Sequence, residues 1–142
     1  MMKNKLTIAV DFDGTCVTHE YPDTGKDIGA APVLKELAEA GHRLILWTMR
    51  SGKELGQAAD WFTDNGIPLH GVNTNPAQCK WTQSPKAYAN IYIDDAALGC
   101  PLVSNPALSD KPYVNWEAVG RMLEEILSGN KLIGHTALKE NA

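Results

Sequence analysis

A chain of 142 residues accommodates one domain, and 44% apolar with 21% charged residues is the make-up of an ordinary folded globule. Thirteen Lys and Arg against seventeen Asp and Glu leave a formal net charge of −4, which argues against a basic surface for nucleic acid or anionic lipid. The first apolar run, residues 6–10, stops at Asp11 and is too short for a signal-peptide core or a membrane span. Cys16, Cys79 and Cys100 form no CxxC pair, so neither a disulfide framework nor a zinc cluster is indicated, and a reducing cytoplasm is the expected compartment.

Residues 6–10 (LTIAV), ending in Asp and Gly, read as a buried strand. Residues 32–40 carry Val33, Leu34, Leu37 and Ala38 at helical spacing, with Pro32 in the first turn and Gly41 as the stop. Residues 43–47 (RLILW) predict a second strand, and residues 51–65 a helix with Ser51 as its cap and Asn65-Gly66 as its end. Residues 67–72 predict a weaker third strand broken by Pro68, residues 90–93 (NIYI) a fourth, and residues 101–104 a short fifth. Asn115 caps a last helix over 116–127, which stops at Ser128-Gly129. The domain is expected to span 1–129, followed by a docked or frayed tail at 130–142.

Strands alternating with helices predict a three-layer, Rossmann-like α/β fold around a parallel sheet. Ligands of such sheets bind beyond the carboxyl ends of the strands. The first strand is followed there by Asp11, Phe12, Asp13, Gly14 and Thr15, the second by Thr48, Met49 and Arg50, and the fourth by Asp94 and Asp95. Residues two apart in extended chain face the same side, so Asp11 and Asp13 look into one site while Phe12 turns into packing. If the first and fourth strands are neighbours, Asp94 and Asp95 join them. So many carboxylates repel one another unless a cation neutralises them, and an all-oxygen site suits Mg²⁺.

DFDGT at 11–15 resembles the first motif, DxD-G-T, of the haloacid dehalogenase-like (HAD) superfamily of phosphotransferases. Thr48 after a strand, Lys86 in SPKAYANIYIDD and Asp94-Asp95 after an apolar strand are similar to its second, third and fourth motifs, in the family's order over residues 6–95. The resemblance implies a HAD-like fold and a Mg²⁺-dependent phosphatase acting through an aspartyl-phosphate. It implies Asp11 as the nucleophile and Asp13 as general acid and base, with the Asp13 backbone carbonyl also on the metal. It further implies Thr48 and nearby backbone N–H groups as holders of a phosphoryl oxygen, Lys86 as the balancing charge, and Asp94 and Asp95 as metal ligands, Asp95 through water. Lys80 competes with Lys86 for the third motif. Lys86 lies eight residues before Asp94, which leaves no room for a full helix between them. The intervals between motifs leave no room for a cap domain, and residues 16–31 can form only a flap. The resemblance implies an open site, suited to a large substrate or to a lid supplied by a neighbouring subunit; a small phosphorylated substrate, with a second copy of the chain as the lid in a homo-oligomer, is the expectation. Neither a membrane nor nucleic acid is an expected partner.

Thr48, Met49 and Arg50 are the candidate substrate-binding residues, with an ordinary salt bridge as the other reading of Arg50. His19 and Glu20 fall in the flap, where a solvated loop is the default and substrate contact the alternative, and Trp81 is a candidate wall of the site. Asn73 and Asn75 follow the third strand and so fall on the site's side of the sheet, though turn chemistry explains them at least as well, and His42 reads as a surface residue at a helix stop. His70 is expected in a strand, His135 in the tail, and Trp47, Trp61 and Trp116 in the core. Two other classes compete with the phosphatase: a non-catalytic HAD-like binding or regulatory protein, and a signalling module phosphorylated on Asp. The acceptor of a receiver domain follows its third strand, where this chain has Val72-Asn73, and intact Asp11, Asp13 and Lys86 argue against a dead site.

Overall fold

A computed structural model describes residues 5–129. The expected tail at 130–142, with His135, lies outside them. Four parallel strands, β1 (Thr7–Val10), β2 (Arg43–Leu46), β3 (Gly71–Val72) and β4 (Ile91–Ile93), form one sheet in the order β3-β2-β1-β4. Helices α1 (Ala30–Glu39) and α2 (Gly52–Asp64) are the crossovers from β1 to β2 and from β2 to β3. Strands β5 (Leu102–Val103) and β6 (Tyr113–Val114) pair antiparallel in a separate two-stranded sheet, and α3 (Trp116–Leu127) follows. Among the described residues no helix is long and apolar enough to cross a membrane.

Alternation along the central strands decides which face is which. Ile8, Val10, Leu44 and Leu46 point to one face, and Leu34 and Leu37 of α1, Phe62 of α2 and Leu123 of α3 close over them in one cluster. Each such aliphatic or Phe side chain contributes about 1.5–3 kcal/mol when fully buried. The opposite face presents Ala9 and Ile45, and here the expected third layer of helix is replaced by the crossover from β3 to β4. That segment contains a single 3-10 turn, Gln78–Lys80, and lays Ala87 and Ala89 directly on Ala9 and Ile45. Small side chains let a backbone approach where a helix would not fit. The Gln78 amide then satisfies the segment, donating to the carbonyls of Ser84 and Lys86 and accepting from the Tyr88 N–H.

Several sequence expectations are corrected. The third strand shrinks from 67–72 to Gly71–Val72, because Pro68 has no N–H for a ladder and Ile67 still bonds back to Phe62 at the end of α2. His70 therefore precedes the strand, with its ring 3.3 Å from Asn75 Oδ1. Helix α1 starts two residues early, after Gly29 at φ 94°, a conformation open to glycine. Ser51 occupies the cap position of α2 but makes no side-chain capping bond. Asn115 does cap α3, accepting from the Ala118 N–H at 3.1 Å. His42 is no surface residue: it is 5% exposed, accepts from the Leu6 N–H through Nδ1, and has no partner for Nε2. Burial first, and then Lys5, lower its pKa. Trp61 and Trp116 are core residues, whereas Trp47 is half-buried at the sheet's carboxyl edge.

Candidate active site

Strand β1 is flanked by β2 on one side and β4 on the other, so the direction of connection reverses at β1 and a crevice opens beyond its carboxyl end. Val10 pairs with Ile93, and the Asp11 N–H continues the ladder onto the Ile93 carbonyl at 2.9 Å. Asp11 and Asp94 thus leave the sheet side by side. Carboxylate oxygens of Asp11, Asp94 and Asp95 come within 4.8 Å of one another. Burial pushes the Asp11 carboxyl up to about 7; Thr15's hydrogen bond opposes this, and Asp94 and Asp95 add to it. A bound cation would relieve that repulsion, and the all-oxygen donor set fits a hard divalent ion.

Thr15 fastens the cluster. Its Oγ1 accepts from the Asp95 N–H at 3.0 Å and lies 2.8 Å from Asp11 Oδ2 and 3.2 Å from Asp95 Oδ1, either of which can take its proton. His19 reaches in from the flap and places Nε2 2.9 Å from Asp95 Oδ2. Gly14, at φ 80°, makes this approach possible: a Cβ there would fall on the His19 ring and 2.6 Å from Asp95 Oδ2. The loop is supported from behind by residues a hundred positions away. The Val114 N–H donates to the Gly14 carbonyl at 3.0 Å, and Trp116 Nε1 to the Thr15 carbonyl at 2.6 Å.

Asp13 does not join the carboxylate triad through its side chain. Its two oxygens sit in the fork of Arg50, each at 2.8 Å. Arg50 is 3% exposed, and its remaining donors go to the carbonyls of Pro22, Asp23 and Glu54. All five guanidinium N–H groups are thereby used. This overturns Arg50 as a substrate-binding donor and leaves the salt-bridge reading, with Asp13 raising the Arg50 pKa further. The same side chain ties three segments together: the loop after β1, the flap and α2.

Thr48 lies on the crevice wall, with its N–H on Asn73 Oδ1 at 2.7 Å and its Oγ1 accepting from the Arg50 N–H. Asn73 adopts φ 54°, which aims its amide back at Thr48. Met49 projects from the rim, 98% exposed. Two lobes open from Asp11, Thr48, Met49 and Asp94. One, of about 480 Å³, runs under the flap past His19 and Tyr21; the other, of about 360 Å³, runs towards Trp47 and Asn73.

Lys86 lines neither lobe. It is exposed, with Nζ 5.3 Å from the centre of the Tyr92 ring. Lys80 is exposed on the 3-10 turn. Trp81 is also no wall of the site; it is 65% exposed and packs edge-to-face with Tyr88. Sequence reasoning gave Gly14 only a turn in the backbone, missed Thr15 as the fastener of the cluster, and weighed His19 and Asn73 near the site without finding their partners Asp95 and Thr48. Gly14, Thr15 and Asn73 share one signal, a short polar or glycine residue just past the carboxyl end of a strand; His19 has none beyond its place in the flap.

No protein-family model matches the chain. No curated protein matches it either. The solved structure of a conserved protein coded by a locus from Bacteroides thetaiotaomicron does match. It has a TM-score of 0.70 and 35% identity over 86% of this chain and 92% of that one. At that identity and coverage the likeness extends beyond the fold, and the chain belongs to the same family as this conserved Bacteroides thetaiotaomicron protein.

Proposed function

We propose that the protein is a capless, Mg²⁺-dependent phosphomonoester hydrolase of the HAD type. The observation that carries this reading is the pairing of β1 with β4, which sets Asp11 beside Asp94 and Asp95 at the carboxyl edge of the sheet. Asp11, Asp94 and Asp95 would hold Mg²⁺ with the Asp13 backbone carbonyl. The ion would offset the charge of the phosphoryl group and keep Asp11 ionised.

Asp11 attacks phosphorus, the ester P–O bond breaks, and Asp13 supplies the proton that the leaving oxygen needs. Water then attacks the aspartyl-phosphate, Asp13 takes its proton, and phosphate departs with Asp11 restored. Arg50 occupies one lone pair on each Asp13 oxygen, so the travelling proton uses the pair left open. The Thr48 hydroxyl, which accepts from Arg50 N–H, retains its own O–H for a phosphoryl oxygen. Lys86, which lies outside both lobes with Nζ 5.3 Å from the centre of the Tyr92 ring, would supply the balancing charge only after its side chain leaves that ring.

The test is phosphate release from a panel of phosphate monoesters with Mg²⁺, comparing wild type with Asp11→Asn. Release by wild type that is lost in Asp11→Asn and in EDTA is the expected result. Equal release, or none from either protein, refutes the hydrolase.

A further inference from the structure

The larger lobe is lined in a way that selects what surrounds the phosphoryl group. Tyr21 stands on the flap at one side of it, 61% exposed, with the Arg50 guanidinium 5.2 Å from its ring centre. The flap beneath Tyr21 is anchored, because Arg50 bonds the two carbonyls that follow and Lys26 bonds both Thr18 and Leu108. Met49 stands on the rim of the same lobe with a flexible, polarisable side chain. Cationic help is missing: Arg50 has no donor left, and His19 is held by Asp95. No uncommitted cationic side chain lines this lobe, so nothing in it would attract a second anionic group on a substrate. The 480 Å³ exceeds what a phosphoryl group needs and lies in the range of small-molecule sites.

Building on the phosphatase reading, we propose that Tyr21 and Met49 make the site specific for phosphate monoesters with a flat, uncharged aromatic ring in the leaving group. The ring lies against Tyr21 with the Met49 thioether at its other side. Such a ring can be joined directly to the ester oxygen or carried at a distance, as a nucleobase is on ribose.

The experiment measures kcat/KM with Mg²⁺ for phenyl phosphate, adenosine monophosphate, ribose 5-phosphate, glycerol phosphate and fructose 1,6-bisphosphate. Wild type should prefer one of the two aromatic esters, and which one it prefers identifies how the ring is attached. Tyr21→Ala should reduce that preference over the non-aromatic esters at least tenfold, chiefly through KM, with Tyr21→Phe close to wild type and Tyr21→Leu between them. A uniform fall for all esters, an unchanged preference in Tyr21→Ala, or a wild-type preference for the bisphosphate overturns the proposal. Binding of phenyl phosphate and adenosine monophosphate to Asp11→Asn protein with Mg²⁺, measured by calorimetry with and without Tyr21→Ala, separates this proposal from the hydrolase reading. A tenfold weakening supports the aromatic wall even if no ester is hydrolysed, and equal binding, or none, overturns it even if esters are.

Discussion

Asp11 makes the metal-free protein less stable as pH rises, and the size of the effect follows from its surroundings. Its carboxyl titrates at about 7 in the folded chain against 3.8 ordinarily, chiefly because it is buried. A raised folded value means that the folded state holds a proton which the unfolded state releases. The associated stability is complete below pH 3.8 and is lost as pH climbs through 7. Over the full window the loss is on the order of 4 kcal/mol, at about 1.36 kcal/mol per pH unit. Between pH 5 and pH 8 the two titration curves give roughly 2.5 kcal/mol. The assay is urea unfolding in EDTA at both pH values for wild type and Asp11→Asn. The variant cannot ionise at this position, so the difference between the two proteins reports Asp11 together with its coupling to Asp94 and Asp95 and cancels the distant titrating groups. Wild type should lose roughly 2.5 kcal/mol relative to the variant on going to pH 8, and millimolar Mg²⁺ should restore it by binding the ionised carboxylates. A difference that stays flat from pH 5 to pH 8 would refute the buried, mutually repelling placement of Asp11, Asp94 and Asp95.

Arg50→Ala strips Asp13 of its partner, leaves the flap carbonyls of Pro22 and Asp23 without this donor and removes the tie to the Glu54 carbonyl of α2. It should destabilise the fold by about 3–5 kcal/mol in denaturant unfolding, with Arg50→Lys recovering only part because an ammonium cannot fork; a loss under about 0.5 kcal/mol would contradict the five-bond geometry. Gly14→Ala drives a Cβ into His19 and Asp95 at a positive φ. Mg²⁺ titration by calorimetry should show binding weakened at least about tenfold, as expected when the partners that orient metal ligands are disturbed; unaltered affinity would show that the loop yields without cost. Asn73→Ala removes the acceptor of the Thr48 N–H, and phosphate release should fall by about tenfold or more, the scale of misplaced positioning groups. A circular dichroism spectrum like that of wild type would show the fold intact, and undiminished release would dismiss Asn73 as a positioning residue.

The sequence by itself determined the order of the four central strands and the three helices, and the identity of the acids. Apolar runs that end in Asp, as at Val10-Asp11 and Ile93-Asp94, are visible because a buried strand must be apolar and the residue leaving the sheet need not be. Helix α3 was legible to the residue, since Asn115 and Ser128-Gly129 are local signals acting within one turn. Tertiary structure decided what depends on neighbours. Whether Asp94 meets Asp11 rests on β4 pairing with β1, a contact between segments some eighty residues apart that no local pattern encodes. The two-residue strands β3, β5 and β6 are too short for any periodicity, and the second face of the sheet is closed by loop because Ala9, Ala87 and Ala89 are small. Arg50 could have faced substrate or Asp13. The choice was made by three backbone carbonyls that converge on it from the flap and α2, and an arginine with all five donors satisfied inside the protein has none left for a ligand.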